Sequence, residues 1–318
     1  MRLAALALVV VGATAAIAGD APPIRAMLWV PKDADPARAF GSAPTECLRI
    51  PADPAQALKV EVGRAAFRTP VVLGGQAARA GLSCETCHRT GRSNPDFQFP
   101  GVSGAPGTAD VTNSLFSTHR GNGTDDPRPI PDLSGPRDRL KIDQAPGAAK
   151  LEPFIHGLIT EEFDGPEPSP AVLGGLAAYV RALSPAACPA PPRQPLTVAL
   201  LMEDARRALH AARAMAAAGD RPTAVTMVAS ARARLGLIDE RFSDPTLNPE
   251  RTALRAADAR LAEAQAALRE GRPDAATDLA VWLRDSRALQ ATLTRRERAS
   301  LFNPAHLARA AANRRLPG

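Results

Sequence analysis

Cys84, Glu85, Thr86, Cys87 and His88 form a C-x-x-C-H run, the one stretch of this 318-residue chain whose residue types and spacing name a chemistry. Two thiols at that spacing can each close a thioether onto a haem vinyl group. The histidine directly after the second thiol is then placed to ligate the iron through its imidazole. C-x-x-C also occurs as a redox dithiol and as half of a zinc site. A zinc site takes four ligands, usually from a second C-x-x-C or an H-x-x-x-H, and the chain has neither. A thioredoxin-type dithiol belongs beside a βαβ pattern, which the flanks lack. The expected cofactor is therefore one covalent haem c, attached through Cys84 and Cys87, with His88 as a metal ligand.

The start of the chain points to a compartment where such attachment occurs. Residues 1–18 carry a single positive charge (Arg2), an apolar run over 3–11 and the small-x-small sequence Ala16-Ile17-Ala18. These are the three regions of a secretory signal, with cleavage expected near Ala18. The apolar run is shorter than the roughly 20 residues that span a bilayer. No later stretch is long and apolar enough to do so, and the expected location is the periplasm. The other two cysteines, Cys47 and Cys188, flank the motif. An oxidising compartment permits a disulfide between them, worth roughly 4 kcal/mol or more in the chain-entropy picture of a long closed loop. Two unpaired thiols are the alternative.

Composition divides the chain. Residues 189–195 (PAPPRQP) are too rich in proline for a helix or a central strand and read as a stiff linker. Nearly all glycines and all four cysteines precede it, and an Ala-, Leu- and Arg-rich sequence follows. Residues 196–318 carry 20 Lys and Arg against 14 Asp and Glu, so the whole chain's net charge of +6 resides there. The expected organisation is a signal over 1–18, a haem domain with an N-terminal extension over 19–188, the linker, and a helical bundle over 196–318.

Within the haem region, residues 60–68 read as a short helix with Gly63 and Phe67 on one face. A second helix is expected over 171–183, preceded by Pro166, Pro168 and Pro170 and stopped by Ser184-Pro185. Its Leu176, Tyr179, Val180 and Leu183 recur at helical spacing, and Tyr179 is expected to pack against Gly63 and Phe67. Residues 90–153 show little periodicity, as suits a domain whose core is filled by a large apolar cofactor. The C-terminal region reads as helices over 196–218, 222–237, 249–270, 273–294 and 304–315. Gly219 and Gly271 are natural stops, and Asn248 and Pro249 a natural start. A faint repeat, GDRPTA at 219 against GRPDAA at 271, suggests two related hairpins making a four-helix bundle. His210 and His306 have no ligand-type partners at useful spacing, no nucleic-acid motif is present, and the fold class expected is all-α.

Gly63-Arg64-Ala65-Ala66-Phe67 leading into Ser83-Cys84-x-x-Cys87-His88, then Ile130-Pro131-Asp132-Leu133-Ser134, Glu152-Pro153-Phe154-Ile155-His156-Gly157 and the closing helix through Leu183, together resemble a cytochrome c domain. The resemblance is to the bacterial di-haem cytochrome c peroxidase superfamily in particular. It covers about 125 residues. A single C-x-x-C-H departs from that pattern, so relay between two haems is not implied. The resemblance implies that His88 is the proximal ligand and that a Pro-x-Leu carbonyl, here at Pro131, holds its other ring nitrogen. Ordinary methionine ligation is not available, because no methionine lies between Met27 and Met202, unless Met27 folds back or the helical region donates one. The sixth-ligand candidates are His156, where such domains place a distal ligand, and alternatively His119, in a loop that could cap the distal face. Arg128, Arg137 and Arg139 are candidates to pair haem propionates.

Three functions compete on this reading. A periplasmic electron-transfer cytochrome needs one haem and two protein ligands, and its basic helical region suits an acidic redox partner or an anionic surface. A peroxidase acting on hydrogen peroxide needs an open iron and an acid–base residue, for which Glu152, Glu161 and Glu162 are nearest. A haem-based sensor would use the helical region as its output. Electron transfer is the expected function.

Overall fold

The computed structural model describes residues 22–313 except positions 120, 138 and 139. The signal segment, its cleavage near Ala18, and Arg139 therefore lie outside the described residues.

The chain is mostly helical, with two very small sheets. Helix α1 (Pro54–Phe67) starts earlier than periodicity predicts. Asp53 caps it by accepting from the Gln56 N–H at 2.9 Å, and Pro54 supplies the fixed φ of a first turn. Short helices α2 (Pro70–Leu73) and α3 (Gly75–Ala80) lead to the single turn α4 (Cys84–Cys87). A long irregular passage follows, in which β2 (Thr108–Ala109) and β3 (Arg128–Pro129) pair with each other, before α5 (Leu151–Gly157) and α6 (Pro170–Ala182). Strand β1 (Ser42–Pro44) precedes all of these helices.

Helices α1 and α6 cross at glycine on glycine. A Cβ on Gly63 would stand 1.8 Å from the Gly175 carbonyl oxygen, so only two bare backbones fit. Next to the crossing, Phe67 and Tyr179 pack with ring centroids 5.0 Å apart. Gly63→Ala should therefore push the helices apart and cost about 3 kcal/mol, read as a fall in the urea midpoint. An unchanged midpoint would mean that the crossing tolerates a methyl group.

The proline-rich segment is no free spacer. Arg193–Pro195 form strand β4, which pairs antiparallel with β1 from Ser42↔Pro195 to Pro44↔Arg193. Proline lacks an N–H but sits without loss on a two-stranded ladder where one edge is open. Cys47 and Cys188 are disulfide-bonded. The Ser184 N–H donates to the Cys47 carbonyl at 2.8 Å, and that of Arg49 to Ala182 at 3.0 Å. The strand before α1 and the strand after α6 are thus sewn together.

Helices α7 (Val198–Ala217), α8 (Arg221–Arg241), α9 (Asn248–Glu270) and α10 (Ala275–Arg296) follow. Their cross-contacts fix antiparallel registers. Gln265 of α9 reaches Val225 of α8 while Arg251 reaches Asp239. The Trp282 indole of α10 donates to the Ala257 carbonyl of α9. Glu297 accepts from Val198 at the head of α7, and Gln290 from Arg206, closing the ring. Asn248 is the first helical residue of α9 rather than its cap, and no side chain caps that end. Gly271 ends the helix in the left-handed region at φ 72°, as its position suggests.

One apolar core runs through α1, α6 and α7 to α10, so the two halves of the chain are packed on each other. Short helix α11 (Pro304–Ala312) turns back to cover Ile24, Met27 and Phe40 through Leu307 and Ala311. Among the described residues no helix is long and apolar enough to cross a membrane.

Candidate functional site

Ser83 and Thr86 form a capping box that fixes the turn carrying the two thiols: the Ser83 N–H donates to Thr86 Oγ1 at 3.0 Å. The His88 N–H closes the turn on the Cys84 carbonyl at 2.8 Å. The chain then reverses sharply. Thr90 takes φ 52° and Gly91 φ 77°, and a Cβ on Gly91 would lie 2.4 Å from Leu183 Cδ1 at the end of α6. A threonine in that region carries local strain, held here by its hydroxyl donating to the Pro44 carbonyl at 3.0 Å.

The His88 ring is held by the backbone of Pro131: Nδ1 lies 3.0 Å from the Pro131 carbonyl oxygen. A carbonyl only accepts, so Nδ1 carries the proton and Nε2 keeps its lone pair. The Pro131 turn is itself clamped. Arg92 Nε donates to Asp132 Oδ2 at 2.7 Å, and the Leu133 N–H to the Gly91 carbonyl at 2.9 Å. Although burial disfavours its charge, hydrogen bonds from Ser134 and Arg92 hold the Asp132 carboxyl below its ordinary range. Sequence reasoning missed this clamp. Its signal was the Asp-x-Ser turn directly after Pro131.

Burial pushes His88 down to about 4, which keeps the imidazole neutral and in its ligating form. Burial likewise pushes the Cys84 and Cys87 thiols up to about 12. Redox dithiols work through lowered values, the opposite direction. Among the described residues no three His, Cys, Asp or Glu side chains converge as a metal-holding group, which leaves the pair without the further ligands a structural zinc would take. Both cysteines and His88 lie deep among other atoms, yet each keeps accessible surface. The motif turn carries all three. Its neighbourhood is aromatic: Phe97, Phe116 and Ile130 form a buried cluster against which Cys84, Cys87, Phe99 and Phe163 pack. Phe67 closes another side, 6.4 Å from the His88 ring. Two thiols, a neutral imidazole with a free Nε2 and an apolar wall are the features that a covalently held haem demands of a chain.

The other sequence candidates are dispersed. His156, on α5, turns Nε2 to the Glu167 carboxylate at 2.9 Å. His119 turns Nδ1 to Asp164 at 2.9 Å. Its loop is tied to the aromatic wall, since Phe116 packs on Phe163 at 5.6 Å. Met27 is fully buried in the separate cluster under α11 and does not fold back. Arg128 is largely exposed and paired with Asp126. Arg137 donates to the carbonyls of Gln144 and Arg181, beside an open cleft of about 960 Å³. Glu152 is bound by Arg181, and Glu162 is buried.

A buried ion network backs the motif turn. Arg68 pairs with Glu46 at 2.9 Å, Asp204 at 3.1 Å and Glu85 at 3.4 Å, and the Tyr179 hydroxyl donates to Glu46 at 2.7 Å. Arg64 also pairs with Glu46. Burial works against the Arg68 charge, but its three carboxylate neighbours outweigh it and raise its affinity for the proton. The network joins α1, the motif turn and α7 in a way that no local pattern announces.

No family model, curated protein or solved structure matches this chain.

Proposed function

We propose that this chain is a monohaem c-type cytochrome that passes single electrons, with haem bound through Cys84 and Cys87 and the iron held by His88. The observation that carries the reading is the 3.0 Å contact from His88 Nδ1 to the Pro131 carbonyl. It fixes one tautomer and leaves the lone pair for a metal on the other nitrogen. The chemistry supplied by the bound haem is a one-electron ferric–ferrous couple. The chain's own part is to hold His88 neutral and oriented, to exclude water with Phe67, Phe97 and Phe116, and to keep the Pro131 turn rigid through Arg92 and Asp132. The N-terminal half then reads as a cytochrome c-like domain of the di-haem peroxidase type with one haem. Helices α7 to α10 read as an up-and-down bundle, and the net charge of +6 over residues 196–318 suits an acidic redox partner. The reading implies a periplasmic location.

For the sixth position His119 is favoured over His156. A ligating histidine commonly gives its other N–H to a carboxylate. His119 does so through Nδ1 to Asp164, leaving Nε2, whereas His156 spends Nε2 on Glu167. A second reading, a peroxidase or sensor with an open iron, is supported by the exposure of the His119 side chain, 64%.

Absorption spectra of the ferric and ferrous protein, before and after carbon monoxide and hydrogen peroxide, separate the two. A low-spin spectrum that ignores both additions supports the carrier, and His119→Ala should then turn it high-spin while His156→Ala leaves it unchanged. A high-spin wild-type spectrum that shifts with carbon monoxide would replace the carrier by the open-iron reading. Absence of haem after expression with a c-type maturation system would end both.

A further inference from the structure

A second space lies between the motif turn and α8. It is a cavity of about 380 Å³, lined among other residues by Trp29, Phe40, Glu85, Arg89, Arg234 and Arg241, but not by Cys84, Cys87 or His88. Its size falls in the range of small-molecule sites.

The charges around it do not cancel. The carboxylates of Glu46, Glu85 and Asp204 make their ion pairs with Arg64, Arg68 and Arg207, and Glu85 and Asp204 reach Arg89 and Arg234 only as more distant charges. Among the described residues, Arg89, Arg234 and Arg241 make no ion pair. They donate instead to backbone carbonyls: Arg89 to Ala39 and Ser42 at 2.8 Å, Arg234 to Arg68 at 2.7 Å, and Arg241 to Phe40 at 3.1 Å and Leu237 at 2.9 Å. A carbonyl satisfies an N–H but leaves the positive charge in place. Arg234 and Arg241 are only 8% and 5% exposed, and each has a buried Nε with no acceptor. Burial first, then the like charges of Arg89 and Arg234, push Arg241 down to about 10, although Glu240 opposes this. Glu240 also lines the cavity, but burial pushes its own carboxyl up, towards the neutral form. Buried charges in folded proteins are otherwise paired.

We propose that this cavity binds one small oxyanion, a phosphate or an organic carboxylate, drawn by the guanidinium charges of Arg89, Arg234 and Arg241 that line it. Guanidinium forks suit both chemistries. The site is independent of the haem assignment, because none of its donors belongs to the C-x-x-C-H motif.

Calorimetric titration of the mature protein tests it, with inorganic phosphate and with succinate as probes in chloride buffers of equal ionic strength. One saturable site is expected for at least one probe, weakened about tenfold or more in Arg241→Gln and Arg234→Gln. Arg255→Gln, which removes an exposed guanidinium paired with Asp239, should bind as the wild type does. Saturation by phosphate alone identifies a phosphate site, and tighter binding of succinate an organic acid. If the two buried-arginine variants do not fold, the thermal midpoint of the unaltered protein decides. It should rise saturably with the bound probe, and a midpoint that follows ionic strength alone overturns the proposal. So does the absence of saturable heat from both probes, or an equal loss in Arg255→Gln.

Discussion

If this chain carries haem c as proposed, replacing both Cys84 and Cys87 by alanine is expected to remove all haem that survives denaturation. Thioether bonds are the only covalent links available to the group, since Cys47 and Cys188 are bonded to each other. Haem-dependent staining after a denaturing gel measures this directly: the wild-type band stains and the double variant does not. His88→Ala in the unaltered Cys84/Cys87 background should instead retain stain but lose the wild-type spectrum, because attachment and ligation are separate tasks. Persistent stain in the double alanine variant would place the attachment elsewhere. The expected effect is complete, since the chain has four cysteines and the other two are bonded to each other.

Glu46→Ala is expected to cost about 3–5 kcal/mol. Its carboxylate accepts from Arg68 and from the Tyr179 hydroxyl and pairs with Arg64, all with little exposure. Removing it leaves two guanidinium groups and a phenol short of their partner. Urea unfolding gives the measurement, and a loss below about 1 kcal/mol would mean that water enters and replaces the carboxylate. The same network sets an acid limb. Burial tends to raise Asp204, but Arg68, Arg64 and Arg234 hold it down from 3.8 to about 2. A depressed carboxylate contributes stability that is present above its unfolded value and lost as pH falls through the folded one. The contribution of Asp204, about 2 kcal/mol, should therefore be intact above pH 4 and disappear between about 4 and 2. Asp204→Asn should lower stability at neutral pH and flatten the curve in that window.

Much of the local structure was legible in the residues. Capping and proline signals mark the start of α6, where Ser169 accepts from the Val172 N–H and Pro170 follows. Gly219 and Gly271 stop α7 and α9 with positive φ. The same rules applied at Asp53-Pro54 place the start of α1 correctly, whereas hydrophobic periodicity alone starts it late, because the first turn of that helix is exposed. Asn248 misled in the opposite sense: a good capping residue does not cap when the preceding short turn, Pro245–Leu247, already delivers the chain in helical geometry.

The sequence by itself determined the helical class and the neighbourhood of Tyr179 and Phe67, because each depends on spacings of a few residues and on side-chain type. Only the tertiary structure decided what lies behind the motif. The Arg68 network joins residues 46 and 85 to Asp204, and the arginine cavity joins the motif turn to α8, in each case across more than a hundred residues. The proline segment became a strand for the same reason, since its partner β1 lies some 150 residues earlier. Backbone spacing sets which groups can meet within a turn; burying one continuous core across α1, α6, α7 and α8 sets which distant charges must.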